Sequence, residues 1–168
     1  MQHTLYSERL QLIPFSSGDS ELFLNLNTNP FVRQFLWDDQ IIDSTTAEAI
    51  IRQNTKHFQE DQYGLWKLQI QGSDEVIGYA GLWYFFDEPQ PQLIYALLEP
   101  YTHNGYATEA ATRVISYAFA ELNFQYVRAA MDEPHRASQQ VAKRLGMALV
   151  DKRLEEGKST VFYRIDKR

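Results

Sequence analysis

The pattern that most limits how this chain can fold lies between Tyr63 and Leu122, where the apolar period changes from two to near four. In Tyr63–Gln71, Trp66, Leu68 and Ile70 fall on one side and Lys67, Gln69 and Gln71 on the other, the alternation of a half-buried strand. Gly72-Ser73-Asp74 reads as a hairpin turn, and residues 76–86 (VIGYAGLWYFF) as a long apolar strand. A second turn, Asp87 to Pro91, leads into a buried strand over 92–98 that ends at Glu99-Pro100. Three strands joined by short turns predict an antiparallel meander. After a polar turn the spacing becomes helical from Tyr106 to Leu122, with Ala111, Ile115, Ala118 and Leu122 on one face.

The flanks are read the same way. Residues 9–15 alternate as a short strand, and Ser16, Ser17 and Asp19 supply N-cap chemistry for a helix to about Leu26. Asn27-Thr28-Asn29-Pro30 stops that helix, Phe31–Ile42 reads as aromatic and irregular, and Asp43-Ser44-Thr45 opens a second helix to about Gln59. Beyond the long helix come a strand at 125–131, a helix from about His135 to Leu145 stopped by Gly146, and strands near 147–152 and 159–165. The succession predicts a mixed-sheet α/β (α+β) layer fold. At 168 residues the chain suits one domain over 1–168.

Composition removes several function classes. There is no cysteine, so disulfides, thiolate metal sites and cysteine nucleophiles are excluded. His3, His57, His103 and His135 show no paired ligand spacing, so no metal is expected. The net charge of −6 argues against nucleic acid or an anionic membrane as partner. No apolar run reaches the roughly 20 residues of a membrane span, and the start has no signal-peptide core, so a cytoplasmic location is expected. Gly157-Lys158-Ser159 ends like a phosphate loop, but Lys152 stands where its first glycine belongs and no helix follows. Asp132, His135 and Ser138 are spaced along a helix start rather than around a nucleophile elbow.

The turn Thr102-His103-Asn104-Gly105-Tyr106-Ala107-Thr108 remains the chemically informative segment. A strand that gives way to a helix through glycine presents free N–H groups at the positive end of the helix dipole, a seat for a phosphate. Gly105 lets the backbone approach closely and Ala107 keeps the wall low. The same pattern also suits an ordinary turn before a helix, so context decides.

That context is a resemblance. Thr102 to Ala107 resembles the acyl-CoA-binding motif Q/R-x-x-G-x-G/A of the GNAT superfamily of N-acetyltransferases. Tyr106-Ala107-Thr108-Glu109-Ala110 is similar to the GYATEA signature of its ribosomal-protein N-terminal acetyltransferase branch. Ser7-Glu8-Arg9-Leu10-Gln11-Leu12 is similar to that branch's T-E-R-L-x-L start, and Gly78-Tyr79-Ala80-Gly81-Leu82 to its central G-x-x-G-L strand. Asp132 to Ser138, followed by Val141 to Met147, resembles its N-x-A-S…K-L-G-F/M block. Each piece is weak alone, but the set spans nearly the whole chain in the family's order.

The resemblance implies a mostly antiparallel sheet of about seven strands with a splayed central pair. It implies acetyl-CoA as cosubstrate, its pyrophosphate on the N–H groups of His103, Asn104, Gly105, Tyr106, Ala107 and Thr108, its pantetheine arm along Ala96, Leu97 and Leu98. It implies direct attack by an amine, with a backbone N–H on the oxyanion and Ser138 positioned to protonate the leaving thiolate. Ser138 otherwise reads as a helix serine contacting its own turn. His135 stands where the family has Asn, and either donates a hydrogen bond to the cofactor or simply caps the helix. His103 either meets phosphate or is an exposed loop residue.

The general base is the gap, because Gln92 occupies the position where this branch often has Glu. A lysine with a pKa near ~10.4 is about one part in a few thousand neutral at pH 7, whereas an α-amine near ~7.7–8.0 is roughly ten per cent neutral. An α-amine, such as a protein N-terminus, or another low-pKa amine is therefore expected as acceptor, on a peptide or a small molecule. Asp38-Asp39 either draws a cationic amine or is a solvated loop. The alternative function is a catalytically idle relative that binds CoA or a protein. A homodimer is compatible with the sequence, but no feature fixes it.

Overall fold

The computed structural model describes residues 2–168. One eight-stranded sheet runs in the order β1-β2-β3-β4-β5-β6-β8-β7. The strands are β1 Leu5–Tyr6, β2 Leu10–Pro14, β3 Leu65–Ile70, β4 Val76–Trp83, β5 Gln92–Leu97, β6 Tyr126–Asp132, β7 Ala148–Glu155 and β8 Lys158–Asp166. The helices are α1 Ser20–Thr28, α2 Pro30–Leu36, α3 Ser44–Asp61, α4 Tyr106–Ala120 and α5 Arg136–Arg144. The fold is mixed α/β, with helices on both faces. The expected meander is β3–β4–β5, each pair antiparallel. The sheet has one strand more than expected, because two residues, Leu5 and Tyr6, pair with Leu12 and Gln11.

Leu93 and Leu97 of β5 and Val127, Ala129 and Met131 of β6 join the core beneath α4 and α5. On the other face Phe15, Phe23 and Tyr79 meet edge to face or tilted, at 5.4–5.9 Å between ring centres, and pack with Ile51 of α3. Such aromatic contacts bury large areas and prefer these geometries. Two buried asparagines tie elements together. Asn54 of α3 accepts from the Leu65 N–H at 2.7 Å and donates to the carbonyls of Phe15 and Leu65. Asn27 of α1 donates to the Phe23 carbonyl and accepts from Trp37 Nε1 at 2.8 Å and Tyr79 OH at 2.6 Å.

Two local readings are corrected. The segment after Asn29 is not irregular but carries α2. Asn29 accepts from the N–H groups of Phe31 and Val32, and Pro30 takes the first helical position, where its missing N–H costs nothing. The long apolar strand stops at Trp83 rather than running to residue 86. Phe86 and Asp87 adopt left-handed φ of 57° and 54°, and the Phe86 ring turns onto Phe162 of β8 at 5.2 Å. Its hydrophobicity serves that contact rather than the sheet.

Gly81 is required by close approach. A β-carbon there would lie 2.1 Å from the Gly64 carbonyl oxygen and 2.8 Å from Leu65 Cα.

Candidate active site

Among the described residues the sheet has one parallel junction, β5 against β6, and it creates the site. The two strands share a single registered pair, Leu93 with Ala129, and then part. Leu98 donates its N–H to the Ile77 carbonyl on the β4 side. By strand alternation the N–H and C=O of Leu97 therefore point into the gap. The gap opens as a cavity of about 420 Å³, walled by β5, β6, the start of α4, α5 and the apolar face of α2.

At one end of the cavity lies the turn into α4. Gly105 holds φ of 81° and His103 φ of 65°. No side chain caps α4, and its first backbone bond runs from the Glu109 N–H to the Gly105 carbonyl. The N–H groups of Tyr106, Ala107 and Thr108 thus have no acceptor within the helix, and they sit at the positive end of its dipole.

The turn is fastened from the other end of the chain. Glu109 accepts from Ser7 Oγ at 2.5 Å, the Arg9 N–H at 2.8 Å and Arg9 Nε at 2.7 Å. Arg9 also donates to the Asn104 carbonyl at 3.0 Å and lies over the Tyr106 ring at 4.3 Å. Partial burial alone would push the Glu109 carboxyl up; the hydrogen bonds from Ser7 and Arg9 outweigh it and hold it below the ordinary carboxylate range. Sequence reasoning quoted Arg9 only as part of a motif and missed this brace. The signal available was the pairing of a basic residue in one motif with an acidic residue in the other.

Of the residues expected to hold a cofactor, Leu97, His103, Gly105, Tyr106, Ala107, Thr108 and His135 line the cavity. Asn104 is not among the lining residues; its amide donates to the Thr102 carbonyl at 2.9 Å within the turn. His135 directly precedes α5, makes no side-chain cap bond, and stacks on Phe35 of α2 with ring centres 3.9 Å apart and 5° between planes. Burial pushes its imidazole below the ordinary histidine value. Ser138 also lines the cavity, is buried, and donates from Oγ to Tyr95 OH at 3.2 Å.

Gln92 is sealed at 1% exposure, neither amide atom has a hydrogen-bond partner among the described residues, and it lies outside the cavity lining. Asp38 pairs with Lys158, which also reaches Asp132 at 3.2 Å, and Asp39 accepts from Arg33 Nε at 2.9 Å. Both loop acids are therefore engaged by cations of the chain itself. Among the described residues no group of three or more His, Asp or Glu is gathered to hold a metal ion.

A splayed strand pair beside a helix-start turn with free N–H groups suits an extended, phosphate-bearing thioester. The family model for the acetyltransferase (GNAT) domain matches residues 9–148. An uncharacterized N-acetyltransferase, p20, of Bacillus licheniformis is 26% identical over 136 residues, covering 80% of this chain and 76% of p20. The acetyltransferase of Agrobacterium tumefaciens str. C58 superposes with a TM-score of 0.83 at 23% identity, over 98% of this chain and 94% of that one. RimL, a ribosomal L7/L12 alpha-N-protein acetyltransferase solved in complex with coenzyme A, superposes with a TM-score of 0.78 at 15% identity, over 95% of each chain. With its family model spanning most of the sequence and its fold shared with these enzymes, the chain belongs to the GNAT family of acetyltransferases.

Proposed function

We propose that this acetyltransferase moves the acetyl group of acetyl-CoA directly to a primary amine of low basicity, with a protein N-terminal α-amine as the acceptor. One observation carries the reading. The cavity joins free N–H groups at one end to an apolar wall from Phe31, Val32, Phe35 and Leu36 of α2, and no Asp or Glu lines it. The lining holds His103, His135 and Arg144 instead, so a lysine or polyamine cation would enter without a counter-charge. An amine that is appreciably neutral at pH 7 needs none. RimL, an alpha-N-protein acetyltransferase, shares the fold and supports the same class.

The residues fit the cosubstrate. The N–H groups of Tyr106, Ala107 and Thr108 would take the pyrophosphate, with Gly105 leaving the approach open. The Leu97 backbone, freed from any strand partner on the β6 side, would hold the pantetheine amides. When bound, the cosubstrate supplies an activated acyl group whose thiol leaves. Ser138 Oγ, which lines the cavity, would give that sulfur a proton. With no cysteine in the chain, the acetyl group passes without a thioester intermediate on the protein.

The test is thiol release from acetyl-CoA against a panel of peptides with free N-termini, lysine and polyamines, together with a thermal shift by acetyl-CoA. Peptide α-amines are expected to be acetylated. Gly105→Glu is expected to abolish the shift, since it puts bulk and negative charge at the phosphate seat. Efficient acetylation of lysine or polyamines without peptides would overturn the acceptor. A retained shift with no thiol release on any amine would point to the idle, CoA-binding alternative.

A further inference from the structure

Tyr95 of β5 faces the same cavity as Ser138, and the two hydroxyls are joined twice. Tyr95 OH donates to the Ser138 carbonyl at 2.9 Å and accepts from Ser138 Oγ at 3.2 Å. Among the described residues Ser138 Oγ has no other partner, and both side chains line the cavity between β5 and α5. A serine near a helix start ordinarily has a choice of rotamers and of carbonyls in its own turn. Here a phenol from a different element selects one.

We propose that Tyr95 is the positioning residue of the acetyl-transfer reaction: it holds the Ser138 hydroxyl toward the cavity and, by turning its own O–H onto Oγ, releases the serine proton to the departing sulfur. The inference rests on Ser138 being the proton donor.

The proton balance is simple. The amine nitrogen bonds to the acyl carbon, the carbon–sulfur bond breaks, and the sulfur takes the proton of Ser138 Oγ. The nitrogen gives up one proton as the amide forms, which restores the serine directly or through water. Tyr95 contributes no net proton. Burial pushes its phenol up to about 12, so it stays protonated throughout. A phenol can both donate and accept. Turning its O–H from the Ser138 carbonyl to Oγ leaves the serine proton free for the sulfur.

Two measurements decide this. The first needs no turnover: the Hα–Hβ coupling constants of Ser138 in the ligand-free protein. A single rotamer is expected in the wild type and averaged couplings in Tyr95→Phe, a substitution that keeps the buried ring. Averaged couplings in the wild type, or unchanged couplings in the variant, would overturn the positioning role.

The second is steady-state thiol release from acetyl-CoA with hydroxylamine, a small amine that is neutral at pH 7 and asks little of an acceptor pocket. Tyr95→Phe is expected to lower kcat about tenfold with KM for acetyl-CoA within twofold, and to add nothing in a Ser138→Ala background. Equal losses in both backgrounds, or a rise in KM alone, would overturn the pairing. Unchanged kcat in Ser138→Ala would remove the serine from proton donation while leaving acetyl transfer intact. A wild type that releases no thiol above background would remove the reaction the pair serves, and the proposal with it.

Discussion

At the residue scale, Glu109 accepts three hydrogen bonds from residues about a hundred positions earlier. Its carboxyl lies below the ordinary value, so folding favours the charged form. The associated stability is complete above the ordinary carboxylate pKa of roughly 4.3 and is lost as pH falls through the lower folded value. Glu109→Gln should therefore lower stability at pH 7 and flatten the acid limb of the melting temperature between pH 5 and 3. An unchanged acid limb would show that the clasp contributes nothing. Arg9→Ala should weaken the acetyl-CoA thermal shift, because it frees the Asn104 carbonyl and unstacks the Tyr106 ring. The motif residues Ser7, Arg9 and Glu109 were all visible in the sequence. That they touch was not, since no spacing rule connects positions so far apart.

At the element scale, α2 shows why local reading has limits. Asn-Pro reads as a helix stop, yet the same two residues cap and begin the next helix. What keeps α2 in place is tertiary: Trp37 on Asn27, and Phe35 on His135. The half-buried His135 prefers to be neutral, because its folded pKa lies below the ordinary 6.5. Stability is thus unaffected above that value and declines as pH drops below it. Amides of α2 should exchange faster at pH 5.5 than at 7.5 after correction for intrinsic rates, and His135→Phe should remove the difference. Asn54 acts likewise between α3 and the β2–β3 pair. Asn54→Ala strands the Leu65 N–H in the core and should cost about 2–3 kcal/mol in urea unfolding. A loss below 0.5 kcal/mol, on the order of an exposed substitution, would contradict its role. The meander, the long α4 and the glycine turn were legible because period and punctuation are local. The burial of Gln92 and the Tyr95–Ser138 contact were not, because they depend on which strands become neighbours.

At the scale of the whole molecule, the sheet is nearly two sheets. β1 to β5 form one antiparallel set and β6 to β8 another, and one registered pair joins them. Acetyl-CoA bound along the free edge of β5 should slow exchange at residues 95–97 and 103–108 and leave the β7–β8 hairpin unchanged. Uniform slowing across all strands would point to global stabilisation instead of occupancy of the gap.

That junction also has a mechanical meaning. Under tension the molecule should tear first along β5 and β6, where fewest bonds share the load. A ligand threaded there would act as a stitch. The force needed to part the halves would then report occupancy, making the protein a strain gauge for whatever ligand lies in the gap.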